Sequence, residues 1–294
     1  MSKDTLDLSR QLNDHYAAVG VGGDRELVAR LRDAFREAGH DPDRLTLDVI
    51  AGIDQLHLGG RTASRSLATL GFVGPGERVL DVGCGTGGAS RLLAAEYGAT
   101  VTGVDITAAF VEVAAWLSAS TGLAERTRFL CADAAVVPLA DASFDVVWCQ
   151  HALMNMPQVP RVLAEWQRLL RPGGKVLLHE VVTGDNPEPL ALPVPWARSQ
   201  TTSHLRSREQ LERCLAMAGF VPETLRDVTE AALAWRQTRS DREGGAAVPP
   251  VKPSLPGPPL LFGDDFPRMG RNLRDNLAAD KVRILEGVWR RSNR

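Results

Sequence analysis

The stretch Arg78-Val79-Leu80-Asp81-Val82-Gly83-Cys84-Gly85-Thr86-Gly87 decides the fold. Its first five residues form a short apolar run that stops at a glycine cluster, which reads as a buried strand. The glycines turn the chain, and a helical pattern follows to about residue 97. Glycines at such a turn let backbone approach a ligand closely, and the helix N-terminus behind them presents unsatisfied N–H groups. A strand–turn–helix crossover of this kind binds a nucleotide-like cofactor at the carboxyl edge of a parallel sheet. Gly83, Gly85 and Gly88 also satisfy the GxGxxG dinucleotide pattern, so the turn alone leaves the cofactor open.

Outward from this turn, strand patterns at 100–105, 127–131, 144–149 and 175–181 alternate with helical patterns at 107–118 and 159–170. Alternation of short, almost wholly apolar strands with helices predicts a parallel sheet covered on both faces. The expected fold is α/β: a Rossmann-like, doubly wound, mostly parallel sheet. Before it, helices are expected over 24–38 (apolar stripe Leu27, Leu31, Ala34, Phe35), over about 42–50 and over 61–70. Residues 1–70 are therefore read as a helical cap or lid, and residues 71–238 as the cofactor-binding core. Within that core, 183–206 carries four prolines and is read as a pocket insertion. Ser207-Arg208-Glu209-Gln210 fits a capping box and opens a helix to 218, with a sixth strand at 221–228 and a helix through 235. Residues 239–294 are expected to be a proline-rich loop and a C-terminal helix over about 265–291. Leu273, Leu277, Val282, Leu285 and Trp289 form its stripe, which would pack on its own core or on a second copy. No seventh strand is read after Val228.

The 294 residues are 44% hydrophobic and 24% charged, which argues against disorder, collagen-like repeats and coiled coils. A net charge of −2 supplies no global field toward nucleic acid or anionic lipid. No apolar run is long enough to span a bilayer, so no membrane insertion is expected. The first residues, Met1-Ser2-Lys3-Asp4, mix both charge signs and lack the apolar run of a secretory leader. The cysteines Cys84, Cys131, Cys149 and Cys214 form no CxxC pair. They read as reduced thiols of a cytoplasmic protein, not as a metal site.

Two acids bear on the cofactor. Asp105 lies twenty residues after Gly85 at a strand end, where a carboxylate can accept both ribose hydroxyls; dinucleotides and other nucleoside cofactors share that contact. Asp81 sits before the first glycine, where an acid suits a ligand carrying an ammonium group and repels a pyrophosphate. Asp133 follows the third strand, placed to accept from an adenine amino group.

In this order and spacing, four segments resemble the class I S-adenosylmethionine-dependent methyltransferases. They are Val79–Gly87, Gly103-Val104-Asp105, Cys131-Ala132-Asp133-Ala134 and Leu170-Arg171-Pro172-Gly173-Gly174. Asp54-Gln55-Leu56-His57-Leu58-Gly59-Gly60, Gln150-His151-Ala152-Leu153-Met154-Asn155 and Pro193-Val194-Pro195-Trp196-Ala197 are similar to the small-molecule subgroup. That subgroup includes sarcosine/dimethylglycine N-methyltransferases and is related to tocopherol and ubiquinone/menaquinone methyltransferases. The resemblance implies S-adenosylmethionine as methyl donor and S-adenosylhomocysteine as product. It implies that Asp81 engages the methionine ammonium, that Gly83, Cys84, Gly85 and Gly87 line the methionine and ribose, and that Asp105 holds the ribose. Ile106, Asp133 and Ala134 would take the adenine, with Gly60 and Gln150 completing the cofactor site. The family's sheet usually closes with an antiparallel seventh strand, from which the reading of 265–291 departs.

Methyl transfer from a sulfonium is an in-line displacement that needs positioning above all. His57, His151 and Asn155 are the candidate catalytic residues, since histidine is the natural proton acceptor near neutral pH. Trp196 and His204 are the candidate substrate-pocket residues; an aromatic face attracts a cationic amine. The favoured expectation is methylation of a small molecule at an amine nitrogen. The alternatives are O- or C-methylation of a phenolic or quinol compound, a nicotinamide-dependent oxidoreductase on the same glycine loop, and a non-catalytic cofactor-binding protein. No basic stripe points to nucleic acid.

Overall fold

The computed structural model describes residues 24–244 and 255–292, so the readings for 1–23 and for 245–254 lie outside the described residues. Seven strands form one sheet in the order β3-β2-β1-β4-β5-β7-β6. They are β1 Arg78–Val82, β2 Thr100–Asp105, β3 Thr127–Cys131, β4 Phe144–Gln150, β5 Leu170–Thr183, β6 Phe220–Asp227 and β7 Val282–Arg291. The strands β3, β2, β1, β4 and β5 pair in parallel, and β7 runs antiparallel between β5 and β6. The doubly wound, mostly parallel expectation is met.

The described helices are α1 Asp24–Glu37, α2 Ala51–Asp54, α3 Gly60–Leu70, α4 Gly88–Tyr97, α5 Ala108–Ser120, α6 Val159–Leu169, α7 Arg208–Met217, α8 Thr229–Gly244, α9 Pro259–Phe262 and α10 Phe266–Ala278. Alternate residues of each inner strand feed opposite faces. On β4, Val147 and Cys149 join Trp166 of α6 and Leu215 of α7 in one core, while Val146 and Trp148 join Leu67 of α3 and Leu93 of α4 in the other. Each such fully buried aliphatic contributes roughly 1.5–3 kcal/mol. The capping box at Ser207 forms as expected, with Gln210 N–H donating to Ser207 Oγ and Ser207 N–H to Gln210 Oε1.

Three local expectations are corrected. The terminal helix stops at Ala278; Asp280 takes a left-handed φ of 54°, and the chain returns as the seventh strand. That strand is inserted between β5 and β6 and is buried on both faces, so the alternation that marks a half-exposed strand is missing. Leu285 and Trp289, four apart, imitate a helical stripe although both point into the same sheet core. Residues 42–50 form turns in place of a helix. Asp41 Oδ1 accepts from Asp43 N–H and Thr46 Oγ1 from Val49 N–H, side-chain bonds that compete with helix, and helical structure begins only at Ala51. The helix expected to end near 235 continues to Gly244, and Pro259–Phe262 makes a further helical turn within the proline-rich stretch.

The helices of the N-terminal segment pack on the sheet's cofactor end. Leu31, Phe35, Ile50 and Ile53 share a core with Phe110 and Leu117 of α5 and with Leu261, Phe262 and Met269 of the C-terminal segment. The N-terminal helices and the 261–269 segment thus meet over α5.

Candidate active site

Strand order reverses between β1 and β4, and a crevice forms at such a switch point outside the carboxyl ends of the strands. A cavity opens there. The glycine loop forms its floor through short backbone bonds. Gly83 N–H and Cys84 N–H donate to Val104 O at 2.8 and 3.1 Å, and Gly85 N–H donates to Asp105 Oδ2 at 2.9 Å. Asp105 Oδ1 accepts from Thr107 N–H at 2.9 Å, so its carboxylate is oriented from both sides. Gly83 is left-handed at φ 71°, and a Cβ there would collide with the Ala152 side chain. The loop's glycine therefore also lets the segment after β4 close down on it.

Asp81 is buried, and burial raises its pKa to about 7, against the opposing effect of Ser90, whose Oγ donates to Oδ2 at 2.6 Å. Burial likewise raises Asp105. A carboxyl so placed gains by meeting a cationic group that restores its charge. Burial also pushes the Cys84 thiol up, which keeps it a protonated packing residue.

Asp81, Gly83, Cys84, Gly85, Asp105, Ile106, Asp133, Ala134, Gln150, His57, His151, Asn155 and Trp196 all line the cavity. Gly60, Gly87 and His204 do not. Gly60 faces the Trp235 ring. Gly87 is needed for packing, since a Cβ there would stand 2.8 Å from the Phe129 ring and from Arg91 Nη1. His204 is drawn off by its backbone, whose N–H donates to Met154 O at 2.8 Å and whose carbonyl accepts from Arg206.

The N-terminal segment is locked to the glycine loop by a buried ion pair. Asp54 Oδ1 meets Arg91 Nη2 at 2.5 Å, and Arg91 is fully buried. Thr86 Oγ1 donates to Ile53 O at 2.7 Å. Gly88 permits the approach, because a Cβ there would run into the Asp54 carbonyl.

Beyond β4 the chain makes a sharp turn with His151 at φ 50°. Glu180, buried on β5, holds that turn: its Oε1 accepts from Ala152 N–H at 3.1 Å and Leu153 N–H at 3.2 Å. His151 N–H donates to His179 O at 2.9 Å. The His151 and His179 rings stack at 5.1 Å between centroids, and His57 stands 5.9 Å from each. Burial lowers His57 to about 4 and His179 to about 3, and drives His151 well below 6.5. All three imidazoles are neutral at pH 7. His57 Nδ1 lies 3.0 Å from Leu58 O, and its Nε2 lies 2.9 Å from Gln55 Oε1 and 3.1 Å from Ser64 Oγ. Trp148 Nε1–H donates to Gln150 Oε1 at 3.0 Å. This fixes the amide so that Gln150 Nε2, buried and without a hydrogen-bond partner, remains a donor for a ligand.

His179, Ser64, Trp235 and Arg236 were missed by sequence reasoning. His179 lies mid-strand and Ser64 mid-helix, positions that carry no motif. Trp235 and Arg236 come from α8, far along the chain from the glycine loop.

Residues 80–178 match the family described as a methyltransferase domain. Methyltransferase GfsG of Streptomyces halstedii is 32% identical over 251 residues, covering 84% of this chain and 83% of that protein. The 27-O-demethylrifamycin SV methyltransferase of Amycolatopsis mediterranei (strain S699) is 33% identical over 157 residues, 53% of this chain and 58% of that protein. Among solved structures, a Haemonchus contortus phosphoethanolamine N-methyltransferase 2 in complex with S-adenosylhomocysteine superposes with a TM-score of 0.67. Its identity is 20%, and the match covers 93% of this chain and 61% of that one; the likeness is one of fold.

Proposed function

Because the chain belongs to the S-adenosylmethionine-dependent methyltransferases and acts on a small-molecule acceptor, we propose that its methyl group goes to a hydroxyl oxygen of a largely apolar compound. The observation that carries this reading is His151, a neutral imidazole on the cavity wall whose Nε2 is buried and without a hydrogen-bond partner. A hydroxyl must lose its proton as the new bond forms, and a neutral imidazole within reach accepts it.

The cofactor supplies an already activated methyl on a positively charged sulfur. The residues present fit that group: a buried carboxyl at Asp81 suits its ammonium, Asp105 its ribose diol, and Asp133 its adenine amine. Gly83 and Gly85 allow backbone contact, and Gln150 Nε2 offers a donor. Asn155 orients the acceptor oxygen, and Met154, Trp196, Phe262 and Leu273 surround it with apolar surface that excludes water. Burial keeps His151 neutral, and a charge on His179 or His57 would oppose a second one on His151. The 183–206 segment and the N-terminal helices close over the acceptor as a lid. Hydrogen exchange with and without S-adenosylhomocysteine checks this; unchanged protection in both segments removes the lid.

An amine nitrogen, favoured by sequence, is supported by the Trp196 ring on the wall, since an aromatic face suits a cation. The deciding experiment supplies methyl-labelled cofactor with paired acceptors, a hydroxyl compound and its amine counterpart on one skeleton. Label on oxygen, lost in His151→Ala, supports the hydroxyl reading. Label on nitrogen alone, indifferent to His151→Ala, overturns it.

A further inference from the structure

The acceptor wall includes a short segment that cannot hold its shape by itself. Leu153–Asn155 is a single 3-10 turn, and it follows His151 at a left-handed φ of 50°. One turn closes few bonds of its own and leaves its end groups unpaired, and a left-handed non-glycine residue persists only where its surroundings fix it. Met154 and Asn155 of this turn line the cavity. Its N–H end is held by Glu180 Oε1, through Ala152 N–H and Leu153 N–H. Its carbonyl end meets the side chain of Arg206. Nη1 donates to Leu153 O at 3.3 Å, and Nη2 donates to Met156 O at 2.9 Å and Pro157 O at 3.2 Å. Nη1 also donates to His204 O at 2.9 Å, while His204 N–H donates to Met154 O at 2.8 Å. An acid at the N–H end and a cation at the carbonyl end is the sense that the backbone dipole favours. Arg206 is half-buried, and its planar fork reaches several carbonyls at once where an ammonium is a single point.

We infer that Arg206 is a positioning residue for the methyl acceptor's wall, the carbonyl-end counterpart of Glu180. The two side chains hold 152–157 from opposite ends and so set where Met154 and Asn155 stand. Arg206 also closes the base of the 183–206 segment, since its carbonyl accepts from Thr183 N–H at 2.9 Å. A movement of that segment is therefore passed to the acceptor wall through one guanidinium. The inference rests on the reading of 151–156 as acceptor wall, but not on which atom receives the methyl group.

The test uses the full chain saturated with S-adenosylhomocysteine. Amide hydrogen exchange and the Asn155 side-chain amide signal in NMR report the wall, and calorimetry reports cofactor affinity. Asn155, Met156 and His204 donate their N–H groups to Ala152 O, Leu153 O and Met154 O. Arg206→Ala should speed exchange at these three amides about tenfold or more and shift the Asn155 signal. Exchange in β1 and β4 and S-adenosylhomocysteine affinity should hold within about twofold. Guanidinium ion, added far below denaturing concentration, should restore both the protection and the Asn155 signal. Arg206→Lys should fall between Arg206→Ala and wild type, and guards against misfolding of the first variant. Glu180→Ala should speed exchange at Ala152 and Leu153, and Glu180→Gln, which keeps the accepting oxygen, should not. With whichever paired acceptor takes the label, Arg206→Ala should lower kcat/KM about tenfold or more, and guanidinium should restore it. Wild-type exchange and an unmoved Asn155 signal in Arg206→Ala overturn the inference, as does an unchanged kcat/KM. So does faster exchange spread over the whole sheet with a matching loss of S-adenosylhomocysteine affinity, which would make Arg206 a general support of the fold. Failure of guanidinium to restore the Asn155 signal also overturns it, since the fork would not be the acting group. Label transferred to nitrogen, indifferent to His151→Ala, removes the hydroxyl reading and leaves the positioning role of Arg206 standing.

Discussion

The two halves of the cavity are built differently. The cofactor half comes mainly from one continuous run, 81–107, whose glycine loop is tied to the next strand by Val104 O and Asp105 Oδ2. The acceptor half collects its wall from 150–156, 195–196, 235–239 and 258–273, segments separated by whole strands and helices. A shared cofactor can be held by a local motif, since its contacts go to backbone and to strand ends that the fold already fixes. An individual acceptor needs side chains from additions to the fold, which can vary without disturbing the sheet. The buried Asp54–Arg91 pair ties the N-terminal segment to the helix behind the glycine loop.

This contrast can be broken in stages. The largest expected effect is on the acceptor side: His151→Ala should lower the methylation rate by about 10²–10⁴ and leave S-adenosylhomocysteine affinity nearly unchanged by calorimetry. A parallel fall in both would mean that the halves are not separable. Asp54→Ala, at the junction, leaves the Arg91 guanidinium buried without its main partner. It should cost about 3–5 kcal/mol in urea unfolding. Asp105→Ala, on the cofactor side, should weaken S-adenosylhomocysteine binding by about ten- to a hundredfold while acceptor preference stays as it was.

The smallest effect is a pH dependence. Burial raises Glu180 to about 7 from 4.5, so the folded chain holds a proton that the unfolded chain has released, and stability falls as pH rises through that window. Glu180→Gln removes this slope, so its melting temperature relative to wild type should climb between pH 5 and 8. His57 acts in the opposite sense. Its folded pKa near 4 lies below the ordinary 6.5, so its contribution is complete above 6.5 and is lost as pH falls toward 4. A Glu180→Gln difference that stays flat with pH would show that this carboxyl does not titrate in the range.

The cofactor half was legible because strand, glycine turn and helix are contiguous, and the acids at 81, 105 and 133 mark strand ends. His151 and Asn155 follow β4 directly, and both line the cavity. His179 lies mid-strand with no motif around it; it is buried, and only the register Gln150↔His179 brings it under His151. Trp148 is buried mid-strand, and only the structure shows that its indole N–H sets the Gln150 amide. The seventh strand was missed because β7 is covered by both cores, and β-branched residues at 282, 284 and 288 were outweighed by the four-residue spacing of Leu285 and Trp289.

By itself, the sequence determined the parallel core, the position of the glycine loop and the cofactor class. Those depend on local conformation and on the burial of contiguous runs. Only the tertiary structure decided that the C-terminal strand is inserted between β5 and the edge strand β6, that three distant histidines form one neutral cluster, and that Arg236 reaches the cavity. Such contacts join segments far apart in the chain, and their chemistry arises only when packing removes water from around them.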